Sequence, residues 1–410
     1  MEATGLIRKR PFRYLTRELR KGMNRGERST RAGLYVPQVG GYEAFIPNPL
    51  PPPDLQVDDK LQALLSQADV ALGRLDGVVD FVPDPDQFVF MYVRREAVLS
   101  SQIEGTHASL MDVLEYEALR EPGEARVDLR EIVNYIRAMQ HGLDRLSTLP
   151  LSRRLMCEVH GVLMEGVRGG EPHKTPGEFR KSQNWIGGGS SSTAKFVPPP
   201  HDEVGRTFAE LEHFLHSGDP MAPLLKAGLA HAQFETIHPF LDGNGRTGRL
   251  LITFWLVEQG ILKKPLLYPS VFFKEYRDEY VTRLQAIRDE GAWESWLEFF
   301  VDGIAQVATE ATERAKDILQ LREKDRALVG SSMGRRSHNG LALLDALYKQ
   351  PIITARLVEE MIGVSQPTAS ALVRDMERIG VLRELTGRRR YRVFSYVDYL
   401  ALFPGLGSRG

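Results

Sequence analysis

Residues 238–249 read HPFLDGNGRTGR and lie between two stretches with helical apolar spacing. Three glycines in six residues, Gly243, Gly245 and Gly248, allow the backbone to adopt positive φ and to approach a ligand closely. Successive N–H groups in such a turn, followed by the N-terminus of a helix, form a site for an anion. The stretch therefore predicts a phosphate-binding turn between two helices. Nearly all other patterns between residues 60 and 320 are helical as well.

The side chains around this turn suit phosphate chemistry. Arg246 and Arg249 carry guanidinium groups, which match phosphate oxygens. Asp242 supplies a hard oxygen ligand for Mg²⁺, which takes one or two carboxylates and completes its shell with phosphates and water. His238 stands beside the turn, where an imidazole could accept a proton from an attacking hydroxyl. Each feature alone is commonly structural, but together they predict phosphoryl or nucleotidyl transfer.

This stretch resembles the signature of the Fic family, H-x-F-x-D/E-G-N-G-R-x-x-R, at every fixed position. Those positions are His238, Phe240, Asp242, Gly243, Asn244, Gly245, Arg246 and Arg249. The resemblance extends over roughly residues 40–320. It implies a mainly α fold, with a Fic-type helical core and a β-hairpin flap. It also implies a protein adenylyltransferase that moves AMP from ATP to a Ser, Thr or Tyr hydroxyl of a target protein or of itself.

The resemblance further implies a role for each residue of the turn. His238 would deprotonate the attacking hydroxyl, and Asp242 would hold Mg²⁺. Asn244 and the backbone N–H groups would stabilise charge on the phosphate oxygens, while Arg246 would bind the β-phosphate and Arg249 the γ-phosphate. The expected ATP-binding set is Gly243, Asn244, Gly245, Arg246, Thr247, Gly248 and Arg249, with Tyr280 on a later helix as a candidate for the adenine pocket.

Residues 175–200 read TPGEFRKSQNWIGGGSSSTAKFVPPP and lack helical spacing, which predicts a short strand and a glycine-rich hairpin tip. In the Fic family the corresponding segment is a flap. The resemblance implies that residues 180–197 pair their backbone with an extended segment of the target protein. The expected flap residues are Trp185, Ile186 and Gly187.

Residues 100–105 read SSQIEG and resemble the family's inhibitory motif S/T-x-x-x-E-G/N. Ser100 and Glu104 would share one helix face. A carboxylate that reaches Arg249 would occupy the guanidinium meant for the γ-phosphate, so ATP would bind with its α-phosphate misaligned. The alternative interpretation is a plain helix C-terminus at Glu104 and Gly105. In some relatives the same glutamate supports removal of AMP, which leaves a bifunctional enzyme open.

The C-terminal part predicts a winged helix-turn-helix domain. Leu341–Tyr348 forms a first helix, Thr354 caps a second, and residues 366–379 form a third with Pro367 in its first turn. The pattern resembles winged-helix domains, which bind either DNA or proteins. The expected contacts to DNA are Gln366, Thr368, Ser370 and Arg374 on the third helix and Arg388, Arg389, Arg390 and Arg392 on the wing.

Composition limits the remaining choices. The formal net charge is −1, so any contact with nucleic acid must come from a local basic patch. Cys157 is the only cysteine, which excludes an internal disulfide and a zinc site built from cysteines, and it fits a reducing cytoplasm. No apolar run is long enough to span a bilayer. The expected units are a basic flexible extension (1–33), an arm with inhibitory helices (34–120), a Fic core (121–325) and a winged helix (336–400).

Two other hypotheses stay open at this stage. The chain could be a DNA-binding regulator whose Fic core senses a nucleotide, or a Fic enzyme that uses another donor such as UTP. A homodimer that covers helical faces would be compatible with either. The target protein and the modified residue cannot be read from the sequence.

Overall fold

The computed structural model describes residues 28–79, 84–119, 127–388 and 391–403. Most of the basic N-terminal extension and the wing residues Arg389 and Arg390 therefore lie outside the described residues. In the described ranges the chain is mainly helical, as the sequence predicted, and it has two small sheets, one in the N-terminal arm and one in the C-terminal domain.

The α-helices, in chain order, are α1 (Asp59–Val78), α2 (Pro85–Ile103), α3 (Leu110–Leu119), α4 (Val127–Leu146), α5 (Arg153–Leu163), α6 (Val204–His216), α7 (Pro223–Ile237), α8 (Asn244–Glu258), α9 (Ser270–Glu275), α10 (Arg277–Glu290), α11 (Trp293–Ser332), α12 (Ser337–Leu347), α13 (Ala355–Ile362), α14 (Gln366–Arg378) and α15 (Val397–Ala401). The strands are β1 (Gly33–Gln38), β2 (Tyr42–Pro47), β3 (Ile352–Ile353), β4 (Arg383–Glu384) and β5 (Phe394–Ser395). None of the helices in the described ranges is long and apolar enough to cross a membrane.

Helices α7 and α8 form the centre of the core. Every residue of α7 from Leu224 to Ile237 is buried, and α8 is buried as far as Leu256. A helix that is apolar on all sides must be surrounded by other elements, and α4, α5, α6 and α11 pack around this pair. The turn that joins α7 to α8 is residues 238–243, so the core positions the predicted phosphate site from both sides.

The N-terminal arm is more regular than its sequence indicated. Residues 34–58 are rich in proline and glycine and lack a sustained period, which predicts an irregular arm. The structure instead pairs β1 and β2 in antiparallel register around a turn at Gly40 and Gly41. The two turn glycines have positive φ, which allows the chain to reverse within three residues. Arg31 anchors the arm through two 2.7 Å hydrogen bonds to the carboxylate of Glu294 on α11.

The glycine, serine and arginine content of residues 330–337 (GSSMGRRS) predicts a linker, and this prediction is wrong. Helix α11 continues to Ser332, and a single 3₁₀ turn, Gly334–Arg336, leads directly into α12. Val329 and Met333 are buried at this junction, so the end of α11 packs instead of unwinding. Apolar spacing also predicts one helix over 273–289, but the structure has α9 and α10 there, divided at Tyr276.

The C-terminal domain has the predicted winged-helix order. Thr354 caps α13 by accepting a hydrogen bond from the Leu357 N–H, α14 follows, and the sheet order is β3-β5-β4. This domain contacts α2, whose Tyr92 ring lies 6.2 Å from the Phe403 ring. Lys349 also forms a 3.0 Å ion pair with Asp84, just before α2. The winged helix is therefore in direct contact with α2, which carries Ser100 and is followed at once by Glu104.

The packing of α4 against α8 can be tested by substitution of Gly142, which lies on α4. A Cβ at this position would come within 2.2 Å of Cζ of the buried Phe254 ring. We expect Gly142→Ala to lower the free energy of unfolding by about 1–3 kcal/mol, because the core must shift to accept the methyl group.

Gly73 provides the matched control, because it also lies inside a helix but has nothing within 4 Å of an added Cβ. Gly73→Ala should raise the free energy of unfolding by about 0.5–1 kcal/mol through helix propensity alone. Denaturant titrations of both variants measure the difference. Equal effects of the two substitutions would contradict the packing of α4 against α8 described here.

Candidate active site

The turn between α7 and α8 has the backbone geometry of an anion site. His238 ends α7 in the left-handed region with φ 51°, and Gly243 precedes α8 with φ 75°. The first turn of α8 leaves the N–H groups of Asn244, Gly245 and Arg246 without partners inside the helix. These N–H groups and the helix dipole face the same end of α8, so an anion is stabilised there.

The side chain of Asn244 closes this turn. Its Oδ1 accepts a hydrogen bond from the Phe240 N–H at 2.9 Å, and its Nδ2 donates to the Phe240 carbonyl at 2.8 Å. The Nδ2 atom carries a second hydrogen that these two bonds do not use, so a contact between this side chain and phosphate oxygens stays a prediction. The backbone N–H of Asn244 is a second possible donor to a phosphate. The Thr247 hydroxyl is likewise internal and donates to the Gly243 carbonyl at 2.8 Å.

His160 supports the turn from α5. Its ring stacks on Phe240 at 3.7 Å, and its Nε2 donates to the Asp242 carbonyl at 3.0 Å. Its Nδ1 accepts a hydrogen bond from the Gly177 N–H at 2.9 Å, so the ring is neutral. Burial lowers the pKa of His160 to about 4, in agreement with this pattern.

The tautomer of His238 is set by its neighbour Glu235. The Nδ1 atom of His238 lies 3.4 Å from the Glu235 carbonyl, and a carbonyl can only accept a hydrogen bond. Nδ1 therefore carries the hydrogen, and Nε2 carries the free electron pair. Burial, assisted by the guanidinium groups of Arg180 and Arg288, lowers the pKa of His238 to about 3. The imidazole is thus a neutral base with Nε2 available.

Arg249 is held by the segment that ends α2. Its side chain is 1% exposed, and its Nε donates to the Ser100 hydroxyl at 2.8 Å. Its Nη2 donates to the Ser100 carbonyl at 3.0 Å and to Glu104 Oε1 at 2.7 Å. The contact that the inhibitory motif suggested is therefore present in the structure.

The Glu104 carboxylate also lies against the first turn of α8. A Cβ at Gly245 would come within 2.2 Å of Glu104 Oε1, so only glycine leaves room for it. The carboxylate thus sits beside the free N–H groups of α8 and on Arg249. Glu104 occupies an anion position of the site itself, not a remote surface.

Arg246 is buried with unused hydrogen-bonding capacity. Its Nε and Nη1 atoms have no hydrogen-bond partner, and its Nη1 lies 3.8 Å from the Glu131 carboxylate. Its Nη2 contacts only the sulfur of Met164 at 3.5 Å. A buried guanidinium seldom lacks partners, because desolvation without hydrogen bonds is costly. Arg246 is therefore ready to receive an anion.

Asp242 offers a single carboxylate at the edge of the turn. Its Oδ1 accepts a hydrogen bond from the Gly243 N–H at 2.7 Å, and its Oδ2 lies 3.3 Å from the ammonium group of Lys174. The described residues contain no group of three or more His, Cys, Asp or Glu side chains that could hold a metal ion. A divalent cation at Asp242 would therefore take its other ligands from phosphates and water, as Mg²⁺ commonly does.

Tyr280 lies deeper than an open nucleotide pocket would require. It is 4% exposed, and its hydroxyl is 2.9 Å from His231 Nε2. The other ring nitrogen of His231 donates to the Gly248 carbonyl at 2.8 Å, so this chain of hydrogen bonds supports the first turns of α8. A contact between Tyr280 and adenine stays a prediction.

The flap is joined across its two sides by one β-bridge, between Ile186 and Phe196, in the described residues. Trp185 is 42% exposed beside it, and Gly187 turns the chain with φ 68°. Arg180 fixes the base of the flap, because its Nε donates to the His238 carbonyl at 2.9 Å and its Nη2 to the Pro199 carbonyl at 2.6 Å. Flap and turn are therefore held as one unit.

Sequence reasoning did not single out five residues that support the site. They are Glu235, His160, Lys174, Arg180 and Asn184. Asn184 donates to the Phe240 carbonyl at 2.9 Å, and burial raises the pKa of Glu235 to about 7. Polar residues inside an otherwise apolar helix such as α7 were a usable signal for Glu235. The other four are separated from the turn by 40 residues or more, so only the fold brings them together.

Comparison with known proteins gives three matching segments. Residues 62–144 match the Fic/DOC family N-terminal domain, residues 150–256 match the Fic/DOC family, and residues 341–396 match an HTH DNA binding domain. The crystal structure of a Fic family protein from Desulfovibrio desulfuricans G20 is similar in fold, with a TM-score of 0.54 over 84% of this chain and 98% of that one, at 18% sequence identity.

Two curated relatives illustrate the sequence similarity. The protein adenylyltransferase Fic of Drosophila grimshawi is 35% identical over 129 residues, which are 31% of this chain and 24% of that protein. A probable protein adenylyltransferase of Aquifex aeolicus is 30% identical over 213 residues, which are 50% of this chain and 58% of that protein. The matched region thus spans between 24% and 58% of these relatives' length.

The partial burial of His238, whose side chain is 18% exposed, leads to a prediction about its protonation. Because its pKa is lowered to about 3, the imidazole stays neutral from pH 8 down to pH 5. We expect the ring carbon-bound proton resonances of His238, assigned by their loss in His238→Ala, to show no titration over that interval. A titration midpoint near the ordinary value of about 6.5 would contradict the burial and the neutral base described here.

Proposed function

We propose that the chain is an ATP-dependent protein adenylyltransferase restrained by Glu104, and its matches to the Fic/DOC family N-terminal domain and to the Fic/DOC family support this proposal. The observation that carries this proposal is the convergence on one turn of a neutral imidazole base, free N–H groups and two buried arginines. The imidazole suits an attacking hydroxyl group, and the N–H groups and arginines suit the phosphates of a nucleoside triphosphate.

The phosphates would bind along the first turn of α8. Arg246 would use its unpartnered Nε and Nη1 on the β-phosphate, and Arg249 would receive the γ-phosphate. The N–H groups of Gly245 and its neighbours would stabilise the charge that develops on the α-phosphate oxygens. Bidentate guanidinium contacts fix the phosphate chain in one register, which in-line attack requires.

His238 would start the reaction by taking the hydroxyl proton on Nε2. The hydroxyl oxygen of the target Ser, Thr or Tyr then forms a bond to the α-phosphorus, and the bond between that phosphorus and the bridging oxygen breaks. AMP is left on the target and pyrophosphate departs. The Glu235 carbonyl keeps Nδ1 protonated, so Nε2 remains the acceptor throughout.

Asp242 would hold the divalent cation that accompanies ATP. Its Oδ2 already accepts a cationic group, the ammonium of Lys174 at 3.3 Å, and its side chain is partly exposed toward solvent. A bound Mg²⁺ supplies charge neutralisation of the phosphate oxygens next to the leaving group. The flap beside His238, with Trp185 exposed, would align an extended segment of the target by backbone pairing.

Glu104 would restrain the reaction by competing with the γ-phosphate. Its carboxylate sits on Arg249 at 2.7 Å and beside Gly245, so a triphosphate in the productive register would place two anions in one position. The Glu104 carboxylate and a γ-phosphate would both be negative and would both contact Arg249, so they would repel each other. ATP would then bind with a displaced phosphate chain, and a displacement of about 1 Å can lower the rate by about 10².

Replacing Glu104 should release the activity. We expect Glu104→Gly incubated with ATP and Mg²⁺ to carry AMP at one or more of its own hydroxyl residues, at a rate about 10-fold or more above the native chain. Intact-protein mass spectrometry measures the added mass. His238→Ala in the same background should abolish the modification, and parallel reactions with UTP report the donor. Equal modification of the native chain and Glu104→Gly would contradict the restraint.

Two neighbouring serines give a matched control for this restraint. Ser100→Ala removes the 2.8 Å hydrogen bond to Arg249 Nε and should raise self-modification part of the way toward Glu104→Gly. Ser101 is equally buried, but its hydroxyl has no hydrogen-bond partner. Ser101→Ala should therefore leave the rate at the native level.

DNA binding by the C-terminal domain is a second proposed function. The match of residues 341–396 to an HTH DNA binding domain supports it, as do the exposed Gln366 and Arg374 on α14. On the wing, Arg392 is paired with Glu377 at 2.9 Å, and Arg389 and Arg390 lie outside the described residues. Arg388 is exposed and remains a candidate phosphate contact.

A binding assay with the full chain tests this second function. Retention of the protein on duplex DNA should weaken as salt rises, and Arg374→Ala should weaken it by about 10-fold. Arg154→Ala, which removes an exposed arginine on α5, should have no effect. Loss of binding in both variants or in neither would contradict a role for α14.

A further inference from the structure

Lys174 is the cationic side chain closest to the proposed metal carboxylate, and the sequence signature does not include it. It ends a 3₁₀ turn, Pro172–Lys174, and its ammonium group lies 3.3 Å from Asp242 Oδ2 and 3.5 Å from Glu171 Oε2. Its side chain is 32% exposed, so it reaches the carboxylate from the solvent side of the site. Lys174 is therefore within reach of whatever binds between Asp242 and the first turn of α8.

The backbone that carries Lys174 is fixed against the turn. A Cβ at Gly169 would come within 2.3 Å of Asp242 Oδ2, so the loop before Lys174 touches the carboxylate itself. On the other side of Lys174, the Gly177 N–H donates to His160, which also bonds to the Asp242 carbonyl. The loop therefore delivers the lysine to one place, while four rotatable bonds leave the ammonium free to move.

A divalent cation bound to Asp242 would compete with the ammonium of Lys174 for the same carboxylate, because the two positive charges repel each other at contact distance. This repulsion favours movement of the ammonium away from Asp242 when the cation binds. The phosphate chain held by Arg246 and the N–H groups of α8 would be the nearest strong anion. Lysine serves proteins well as a point charge on phosphates.

We propose that Lys174 is a phosphate-binding residue whose ammonium moves from Asp242 to the nucleotide phosphates when a divalent cation binds Asp242. This inference rests on the proposed function and adds a positioning residue to it. Binding of the cation to Asp242 would thereby bring the Lys174 ammonium into contact with the phosphates and strengthen nucleotide binding. A surface ion pair with no such role is the competing reading, and such pairs contribute little by themselves.

Nucleotide affinity, measured with and without divalent cation, tests the coupling. The experiment uses the full chain with two substitutions as its background. Glu104→Gly opens the phosphate position, and His238→Ala prevents consumption of ATP. We expect Lys174→Met in this background to weaken ATP binding by about 10-fold in the presence of Mg²⁺ and much less in the presence of EDTA. Titration calorimetry measures both affinities. Lys174→Arg should restore part of the loss, because it keeps the charge.

A second readout uses the metal ion alone. Mn²⁺ binding to the same protein without nucleotide, followed by electron paramagnetic resonance, should become tighter in Lys174→Met, because the competing ammonium is gone. Lys181→Met is the matched control, since Lys181 is an exposed lysine seven positions later that pairs with Glu178 at 2.6 Å. It should behave as the background in every measurement.

Equal ATP affinities of Lys174→Met and Lys181→Met in Mg²⁺ would overturn the inference. Failure of the background protein to bind ATP under any condition would instead contradict the proposed function, and this inference would fall with it. Thermal unfolding of each variant separates a loss of affinity from a loss of fold.

Discussion

The buried guanidinium of Arg249 constrains the whole site. A charge that is almost fully removed from water must have an opposite charge and hydrogen bonds nearby, because its desolvation is otherwise too costly. In this structure Glu104 and Ser100 supply them, with contacts of 2.7 Å and 2.8 Å. Under the proposed function a triphosphate supplies the same charge. Restraint and substrate binding are then two ways to satisfy one arginine, and the protein needs no separate regulatory pocket for that choice.

The restraint depends on how rigidly α2 is held. Glu96, two turns before Glu104, accepts hydrogen bonds from the N–H and hydroxyl of Ser270 and from Tyr135. Tyr92, one turn earlier, donates to the Ala311 carbonyl on α11 and contacts Phe403 of the C-terminal domain. Glu104 is thus fixed along the length of its helix, and only its side chain, 41% exposed, is free to swing away from Arg249. The contact between Tyr92 and Phe403 connects the C-terminal domain to the helix that positions Glu104.

Much of the fold could be read from the sequence because local rules decided it. Apolar spacing predicts helices over 127–146, 222–237 and 355–362, and α4, α7 and α13 match these bounds to within a residue. The glycine-rich turn likewise predicted the start of α8. The linker expectation failed because buried Val329 and Met333 outweigh the local preference of glycine and serine for irregular structure. Tertiary packing, which cannot be read from amino-acid composition, therefore determined the structure of residues 330–337.

The residues of the candidate site also form two groups: those that the local sequence predicts, and those that only tertiary packing brings together. Residues contiguous in the turn were predictable, since the chemistry of phosphate binding needs them close together. The loop-closing hydrogen bonds of the Asn244 amide were not predicted, because they depend on the backbone conformation of the turn. Arg180, His160 and Lys174 come from distant positions and reach the turn only through packing. No spacing rule in a single sequence could bring them there.

Under the proposed function, Glu104 occupies the position of a γ-phosphate on Arg249. The ratio of ATP affinity to ADP affinity tests it most directly, because only ATP has that phosphate. Calorimetry on the native chain should give a ratio near one, and Glu104→Gly should raise the ratio to about 10 or more through one restored charge-assisted contact. A ratio that is the same in both proteins would contradict the account.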